Sequence, residues 1–347
     1  MQRLCQSTQK HTALITVLAG LAFLRATGLQ LLINAYLFAL EQKGKEIMKR
    51  IKIITVIMIL LFAVGCGKKE PPAMGIGYCY QSRGGVKTVY PDGSKYYVNT
   101  DYLYDFDYDN GYIYFADVDN VIKADVRQND ICPQVDENEF KRITDNYDGF
   151  GYVVSLGDSG KVAMQLHNDE KEYSSIYIID NGAMEYLCEV DGDGINHNSS
   201  VNLNKVAVCA DKSGENLFVK QNDQLVKYNI QSKTGSTLIS DFKYDIFDVD
   251  GSGDKVAYIY RDSIYLYEVS SGNETLIGEM GFPLGKICIS DDGNWIMVVD
   301  VTAVNGIWPN PYPGRRNNLY IYDCVNKTKY LVVEDCGSDR GAFDFAE

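Results

Sequence analysis

The sequence predicts an all-β protein built from a repeated four-stranded unit. Three observations carry that expectation. Segments recur at a spacing of 39 to 54 residues, apolar and polar residues alternate within each recurrence, and 25 of the 26 tyrosines fall after Cys66. Alternation with period two is the mark of a half-buried strand, and tyrosine suits a strand surface that is part apolar and part wet. No stretch after Cys66 shows a convincing 3.6-residue apolar period, so no helix is expected there.

The repeat is plainest where Asp211–Ile230 and Asp250–Val269 align without a gap at an offset of 39 residues. Each reads turn, strand, short turn, strand. The unit returns at Asp109–Phe115, Asp158–Met164 and Ser290–Met297, with turn glycines at 111, 160, 214, 253 and 293. A tight turn between antiparallel strands often needs a positive φ, which glycine adopts without strain. A repeat of about 40–45 residues with four strands is a β-propeller blade. In the clearest blade the inner strand is Lys286–Ser290, followed by Trp295–Val299, Asn318–Asp323 and an outer strand at Lys329–Val333.

Five complete blades fit residues Tyr104–Thr144, Phe150–Val190, Lys205–Ser240, Tyr244–Gly278 and Lys286–Glu334. The chain ends at Ala342-Phe-Asp-Phe-Ala346, which repeats the inner-strand pattern Ile246-Phe-Asp-Val249 but has no strands after it. Near the other end, Gly77–Tyr80, Val86–Tyr90 and Tyr96–Val98 read as strands lacking an inner partner. Joining the two ends completes a sixth blade and pairs edges that would otherwise be open. The expected domain therefore runs from 76 to 347.

The segment Ser290-Asp-Asp-Gly-Asn-Trp-Ile296 resembles the S-P-D-G-K-x-h turn of TolB-like, WD40-like propeller repeats, and Leu319-Tyr-Ile-Tyr-Asp323 resembles the strand that follows it there. The resemblance covers about residues 104–335 and departs in lacking proline at Asp291 and in the degenerate turns at Asp109 and Asp158. It implies architecture and not activity, because propellers host unrelated functions.

Upstream of the propeller, Met48-Lys-Arg-Ile-Lys52 is a short basic start, Ile53–Val64 an apolar core, and Ala63-Val-Gly-Cys66 a small-residue cleavage site. That order makes residues 48–65 a secretory signal. The closing cysteine resembles a bacterial lipobox, although leucine is commoner where Ala63 stands. The resemblance implies that Cys66 is the lipidated N-terminus of a protein anchored in the bacterial cell envelope, outside the cytoplasm. Residues 66–75 read as a linker. Residues 1–47 carry two apolar stretches interrupted by Arg25. They read either as a membrane span with a costly central charge or, as preferred here, as an extension upstream of a true start at Met48. Gly44-Lys-Glu46 is compatible with a ribosome-binding sequence at suitable distance from it.

The whole chain has a net charge of −14, and eight basic but only two acidic residues precede Cys66, so the remainder is more acidic still. Nucleic-acid binding rests on phosphate neutralisation by Lys and Arg and is excluded as a partner class. Membrane attachment is expected through the N-terminal lipid alone. The seven cysteines after Cys66 are unevenly spaced with no C-x-x-C pair, which indicates neither a disulfide framework nor a zinc site. Cys209 and Cys288 sit among alternating apolar residues and read as small buried hydrophobes.

The clearest departure from the repeat is the insertion Thr302–Asn317 between the second and third strands of the fifth blade. It holds three of eight prolines, Trp308 as one of two tryptophans, and the adjacent Arg315 and Arg316. Insertions in repeats often build the binding face, and Trp, Tyr and Arg are enriched at binding hot spots. Trp308, Tyr312, Arg315 and Arg316 are the binding candidates, against the plainer reading of a loop that covers a rim. Asp248-Val-Asp-Gly-Ser-Gly253 resembles the start of a calcium loop, so Asp248, Asp250 and Ser252 are the metal candidates. The late bidentate acid that such a loop needs is replaced by Ile259, and the motif coincides with a repeat turn, so no metal centre is expected. Asp105-Phe-Asp-Tyr-Asp109 offers only one face of one strand, and Asp191-Gly-Asp-Gly194 reads as an interblade loop.

No nucleophile elbow is present, only His167 and His197 remain after Cys66, and no catalytic residue or cofactor is expected. The expected function is a binding or scaffold module for an envelope protein or glycan. The rival is a glycan-active enzyme that uses carboxylates in the central channel, which would need a pocket and perturbed acids.

Overall fold

The computed structural model describes residues 72–346 except 82–84, 101–105, 118, 169–172, 192–207, 245, 282, 304–314, 335 and 337–342. All of these lie within the compact unit Glu70–Glu347. The upstream extension, the signal and Cys66 lie outside the described residues, as do Trp308, Tyr312, His197 and the loop after Asp191.

Among the described residues, twenty-four strands form six four-stranded antiparallel sheets. β1 (Ile76–Gln81), β2 (Gly85–Val89) and β3 (Lys95–Asn99) open the domain. Blade one is β4 (Asp107–Asp109), β5 (Tyr112–Ala116), β6 (Val121–Asp125) and β7 (Asp130–Pro133). Helix α1 (Glu137–Thr144) leads to blade two, β8 (Gly149–Ser155), β9 (Val162–His167), β10 (Tyr173–Asp180) and β11 (Ala183–Asp191). Blade three is β12 (Val208–Ala210), β13 (Asn216–Gln221), β14 (Gln224–Asn229) and β15 (Thr234–Ser240). Blade four is β16 (Phe247–Val249), β17 (Lys255–Tyr260), β18 (Ser263–Glu268) and β19 (Asn273–Glu279). Blade five is β20 (Pro283–Ile289), β21 (Trp295–Ala303), β22 (Arg315–Asp323) and β23 (Thr328–Val333). The last strand, β24 (Phe343–Phe345), is the inner strand of blade six, in the order β24-β1-β2-β3.

The alternation read from the sequence is what packs the ring. Each sheet buries both faces against its neighbours, and among the described residues the apolar side chains form six clusters, one at each junction between consecutive blades. Phe218, Leu225, Phe247 and Tyr258 fill the junction of blades three and four. Ile76, Tyr78, Phe343 and Phe345 meet Cys288, Met297 and Ile321 between blades five and six. Closure therefore runs through the C-terminus. β24 pairs with β1 in the register Ile76↔Phe345, Gly77↔Asp344 and Tyr78↔Phe343, and Ala346 N–H extends the ladder to Gly75 O at 2.9 Å.

Two expectations need correction. The span given to the first blade ended at Thr144, but its strands end at Pro133 and Glu137–Thr144 is helical. Asp136 caps that helix by accepting from the N–H groups of Asn138 and Glu139 at 3.0 and 3.1 Å, in keeping with the preference for a short acidic N-cap. Phe140 and Ile143 are its buried residues. They plug the junction of blades one and two, and two apolar positions in eight residues are too few to register as a period. The second correction concerns blade five. Thr302 pairs with Arg316 and Ala303 with Arg315, so the strands run further into the insertion than the alternation indicated. Arg315 and Arg316 belong to β22 and not to a loop.

Removing residues Gly341 to Glu347 should cost much of the stability. Phe343 and Phe345 are 0% and 5% exposed, and each such side chain is worth about 1.5–3 kcal/mol of burial. Thermal melting should fall by on the order of 10 °C. A shift of a degree or two would contradict closure by β24. A second comparison separates the turn glycines. Gly214 has φ 65°, and a Cβ there would lie 1.8 Å from Leu156 O of the neighbouring turn, whereas Gly111 at φ 83° has open space. Gly214→Ala should cost more than about 3 kcal/mol and Gly111→Ala about 1 kcal/mol, by chemical denaturation.

Candidate central-channel site

The six inner strands enclose a channel whose cavity is about 170 Å³, lined by residues of all six. Register fixes which side chains meet there. Asp344 pairs with Gly77, Asp107 with Tyr114, Val154 with Ala163, Cys209 with Phe218, Asp248 with Ala257, and Cys288 with Met297. These six residues hold the same place in successive blades and form one level of the channel wall. In three blades the local sequence is Phe-Asp flanked by a second apolar residue: Phe106-Asp107-Tyr108, Phe247-Asp248-Val249 and Phe343-Asp344-Phe345. The flanking side chains are buried, and alternation turns the intervening carboxyl the other way.

Each acid at this level reaches the inner strand of the next blade. Asp344 Oδ2 accepts from Tyr108 N–H at 3.0 Å, Asp107 Oδ2 from Ser155 N–H at 2.6 Å and Asp248 Oδ2 from Ile289 N–H at 2.9 Å. Cys288 Sγ–H donates to Phe343 O at 3.2 Å, and Cys209 Sγ interacts with Val249 N–H. An inner strand has no further strand beyond it, so these contacts satisfy main-chain groups on an otherwise open edge.

Lys286 supplies the counter-charge. The register of β20 against β21 shifts between Leu284 and Ile287, and such a bulge re-aims side chains. Lys286 Nζ donates to Phe106 O at 2.8 Å and lies 3.9 Å from Asp344 Oδ2. Burial, together with the negative charge of Asp344, holds Asp107 well above the usual carboxylate range, with Lys286 opposing. Burial pushes Asp248 up to about 7, against the lowering effect of the Ile289 N–H bond. The Cys209 thiol is raised well above its usual value, mainly by burial and then by Asp248.

One mouth of the channel is rimmed by the turns between first and second strands. There Lys212 N–H donates to Gly251 O at 3.1 Å and Gly251 N–H to Asp291 O at 3.0 Å, linking the turns of blades three, four and five. Lys212 and Asp291 also form an ion pair, with side chains 60% and 40% exposed; at that exposure it contributes little. The insertion of blade five leaves the second strand at Ala303 and re-enters at Arg315, which is the opposite face.

The metal candidates do not converge. Asp250 Oδ1 accepts from Asp254 and Lys255 N–H, each at 2.9 Å, and its Oδ2 from Ser252 Oγ at 2.8 Å. Asp248 instead serves the channel. Among the described residues no group of three or more His, Cys, Asp or Glu is arranged to hold a metal ion. The residues that sequence reasoning missed are Asp344 and Lys286, and Asp107 as their partner. A thrice-repeated Phe-Asp pair on inner strands was the available signal.

Ring, closure and channel define a six-bladed β-propeller. No family model matches the chain, and no curated protein does. Solved structures match in fold. TolB from Acinetobacter baumannii is similar at 12% identity and a TM-score of 0.54, over 83% of this chain and 70% of that one. A chain of the nidogen–laminin complex is similar at 7% identity and a TM-score of 0.54, over 79% of this chain and 98% of that one. At these identities the likeness is one of fold alone.

The channel acids set the sign of a pH dependence. Asp107 and Asp248 are raised in the folded state above an unfolded value near 3.9. The folded protein therefore holds extra protons, and the stability they contribute is full below about pH 4 and is lost as pH rises through about 7. Melting temperature should fall between pH 5.5 and 8. Asp248→Asn keeps an acceptor for Ile289 N–H but cannot titrate, and should reduce the slope of unfolding free energy by up to about 1.4 kcal/mol per pH unit. An unchanged slope would count against the raised acid.

Proposed function

We propose that the protein is a lipid-anchored, extracytoplasmic β-propeller that serves as a binding or scaffold module for a protein or glycan of the bacterial envelope. The observation that carries this reading is the state of the channel acids. Asp107, Asp248 and Asp344 each already accept a main-chain N–H from a neighbouring blade, which spends them on holding the ring together. Recognition then falls to surface loops, and Trp308 and Tyr312 of the blade-five insertion are the residues the sequence offers for it. One chain matched in fold comes from a nidogen–laminin complex, and the proposal extends protein recognition of that kind to this chain. The lipobox-like Ala63-Val-Gly-Cys66 supports the anchor and the location. An envelope partner follows from that location.

Cys66→Ser should release the protein from membranes and block processing at this site. Unchanged fractionation would remove the anchor from the proposal. Tagged protein should capture its partner from intact membranes, and Trp308→Ala with Tyr312→Ala should abolish capture while leaving the melting temperature within a degree or two. Capture that survives those changes places recognition elsewhere.

A glycan-active enzyme using the channel carboxyls is the second reading, favoured by one observation: two raised acids beside a cavity. Hydrolysis of envelope glycans that is lost in Asp248→Asn would select it.

A further inference from the structure

Each blade ends in an outermost strand with one open edge, and the edge of blade three lacks the protection the others carry. Among the described residues β3, β7, β11, β15, β19 and β23 end their sheets on the outside of the ring. An open edge invites pairing with another chain, and charged residues or proline on it discourage that. β3 carries Lys95, β7 Asp130 and Pro133, β11 Glu185, β19 Glu274 and β23 Lys329. β15 reads Thr-Gly-Ser-Thr-Leu-Ile-Ser, seven residues without a charge or a proline. Its one blunting feature is a bulge at Leu238, which β11, β19 and β23 share at the same place.

The strand is exposed and its ends are fixed. Thr234 to Thr237 are all exposed. The ring of Tyr228, on β14, lies so near Gly235 that a Cβ there would come within 2.9 Å of it, and it covers the gap that glycine leaves in a strand. Lys233 at φ 54° and Asp241 at φ 62° take left-handed backbone on either side and bound the paired stretch. They are also its flanking charges, of opposite sign. Lys233 is ion-paired with Glu185 of blade two and Asp241 with Lys243. Both pairs are exposed, so they hold little and exchange readily.

We propose that β15 is a self-association edge: two copies of the chain pair β15 with β15 antiparallel about a two-fold axis and join two blades into one eight-stranded sheet. The charges select a second copy as the occupant. Pairing centred on Thr237 sets Lys233 of each copy opposite Asp241 of the other, and no like charges meet along the strand between them. The same patch serves both partners, as a two-fold interface requires. The chain carries a net charge of −14, so two copies repel at long range, and an uncharged edge with complementary ends is where they meet at least cost. The contact is small against the roughly 1,600 Å² of a standard interface, which makes the dimer weak and concentration-dependent.

Sedimentation of the purified full chain over a series of concentrations tests this. A monomer–dimer equilibrium is expected. Thr237→Lys sets two ammonium groups face to face at the axis and should weaken it by about fivefold. Leu276→Lys, at the matching position of β19 before its bulge, should leave it unchanged. Lys233→Glu and Asp241→Lys should each weaken the dimer by about threefold, and the two together should restore it. Hydrogen exchange should show β15 amides gaining protection as concentration rises while β13 stays unchanged. A chain that remains monomeric, a dimer indifferent to Thr237→Lys, or charge changes that add without rescue would overturn the self-pairing. Protection of β15 that requires an added membrane extract, and not concentration, would overturn it in favour of a foreign strand.

Discussion

The structure depends on satisfying the innermost edge of each blade. A ring of radial sheets leaves six strand edges facing a narrow channel, where main-chain groups are poorly served by solvent and an unpaired one costs as much as a lost hydrogen bond. Here the answer is lateral. One residue per inner strand, always at the same register, reaches the next blade: Asp344 to Tyr108, Asp107 to Ser155, Asp248 to Ile289, Cys288 to Phe343. Val154 is the exception, and blade two turns an apolar side chain to blade three at that level. Successive blades are thereby stitched in register around the axis.

Stitching with carboxyls brings its own cost. Several acids confined to one level repel, and desolvation disfavours their charge. Burial accordingly raises Asp107 and Asp248 above the usual carboxylate range, and Lys286 stands among them as the counter-charge. Outside the channel the same ring is held by apolar clusters at every junction, and by turns that approach so closely at Gly214 that no side chain fits. These interactions reinforce one another: the clusters fix the spacing of the blades, and the spacing lets a side chain as short as Asp span to its neighbour.

This division of labour bears on function. A channel whose acids accept main-chain bonds is a poor place for acid–base chemistry, because a group that changes protonation in a catalytic cycle would loosen a blade each time. Loops carry no such duty. The strands β21 and β22 of blade five run on to Ala303 and Arg315. Asp344 belongs both to the channel and to the blade that is completed by a distant segment.

The sequence by itself determined the blades. Alternation names the strands, the Asp-Gly turns separate them, and the likeness of Phe343-Asp-Phe345 to Phe247-Asp-Val249 told that the C-terminus is an inner strand. These are local properties, set by which face of a strand is apolar and where the backbone must reverse. Tertiary structure decided the rest. Eight residues became helix α1 because Phe140 and Ile143 could fill a junction that only the assembled blades create. Lys286 turned into the channel because β20 bulges against β21. Asp107, Asp248 and Asp344 became one site because ring closure brings together positions as much as 236 residues apart, as Tyr108 and Asp344 are. Periodicity records which way a side chain points from its own strand; it holds no record of the strand that will face it across a channel.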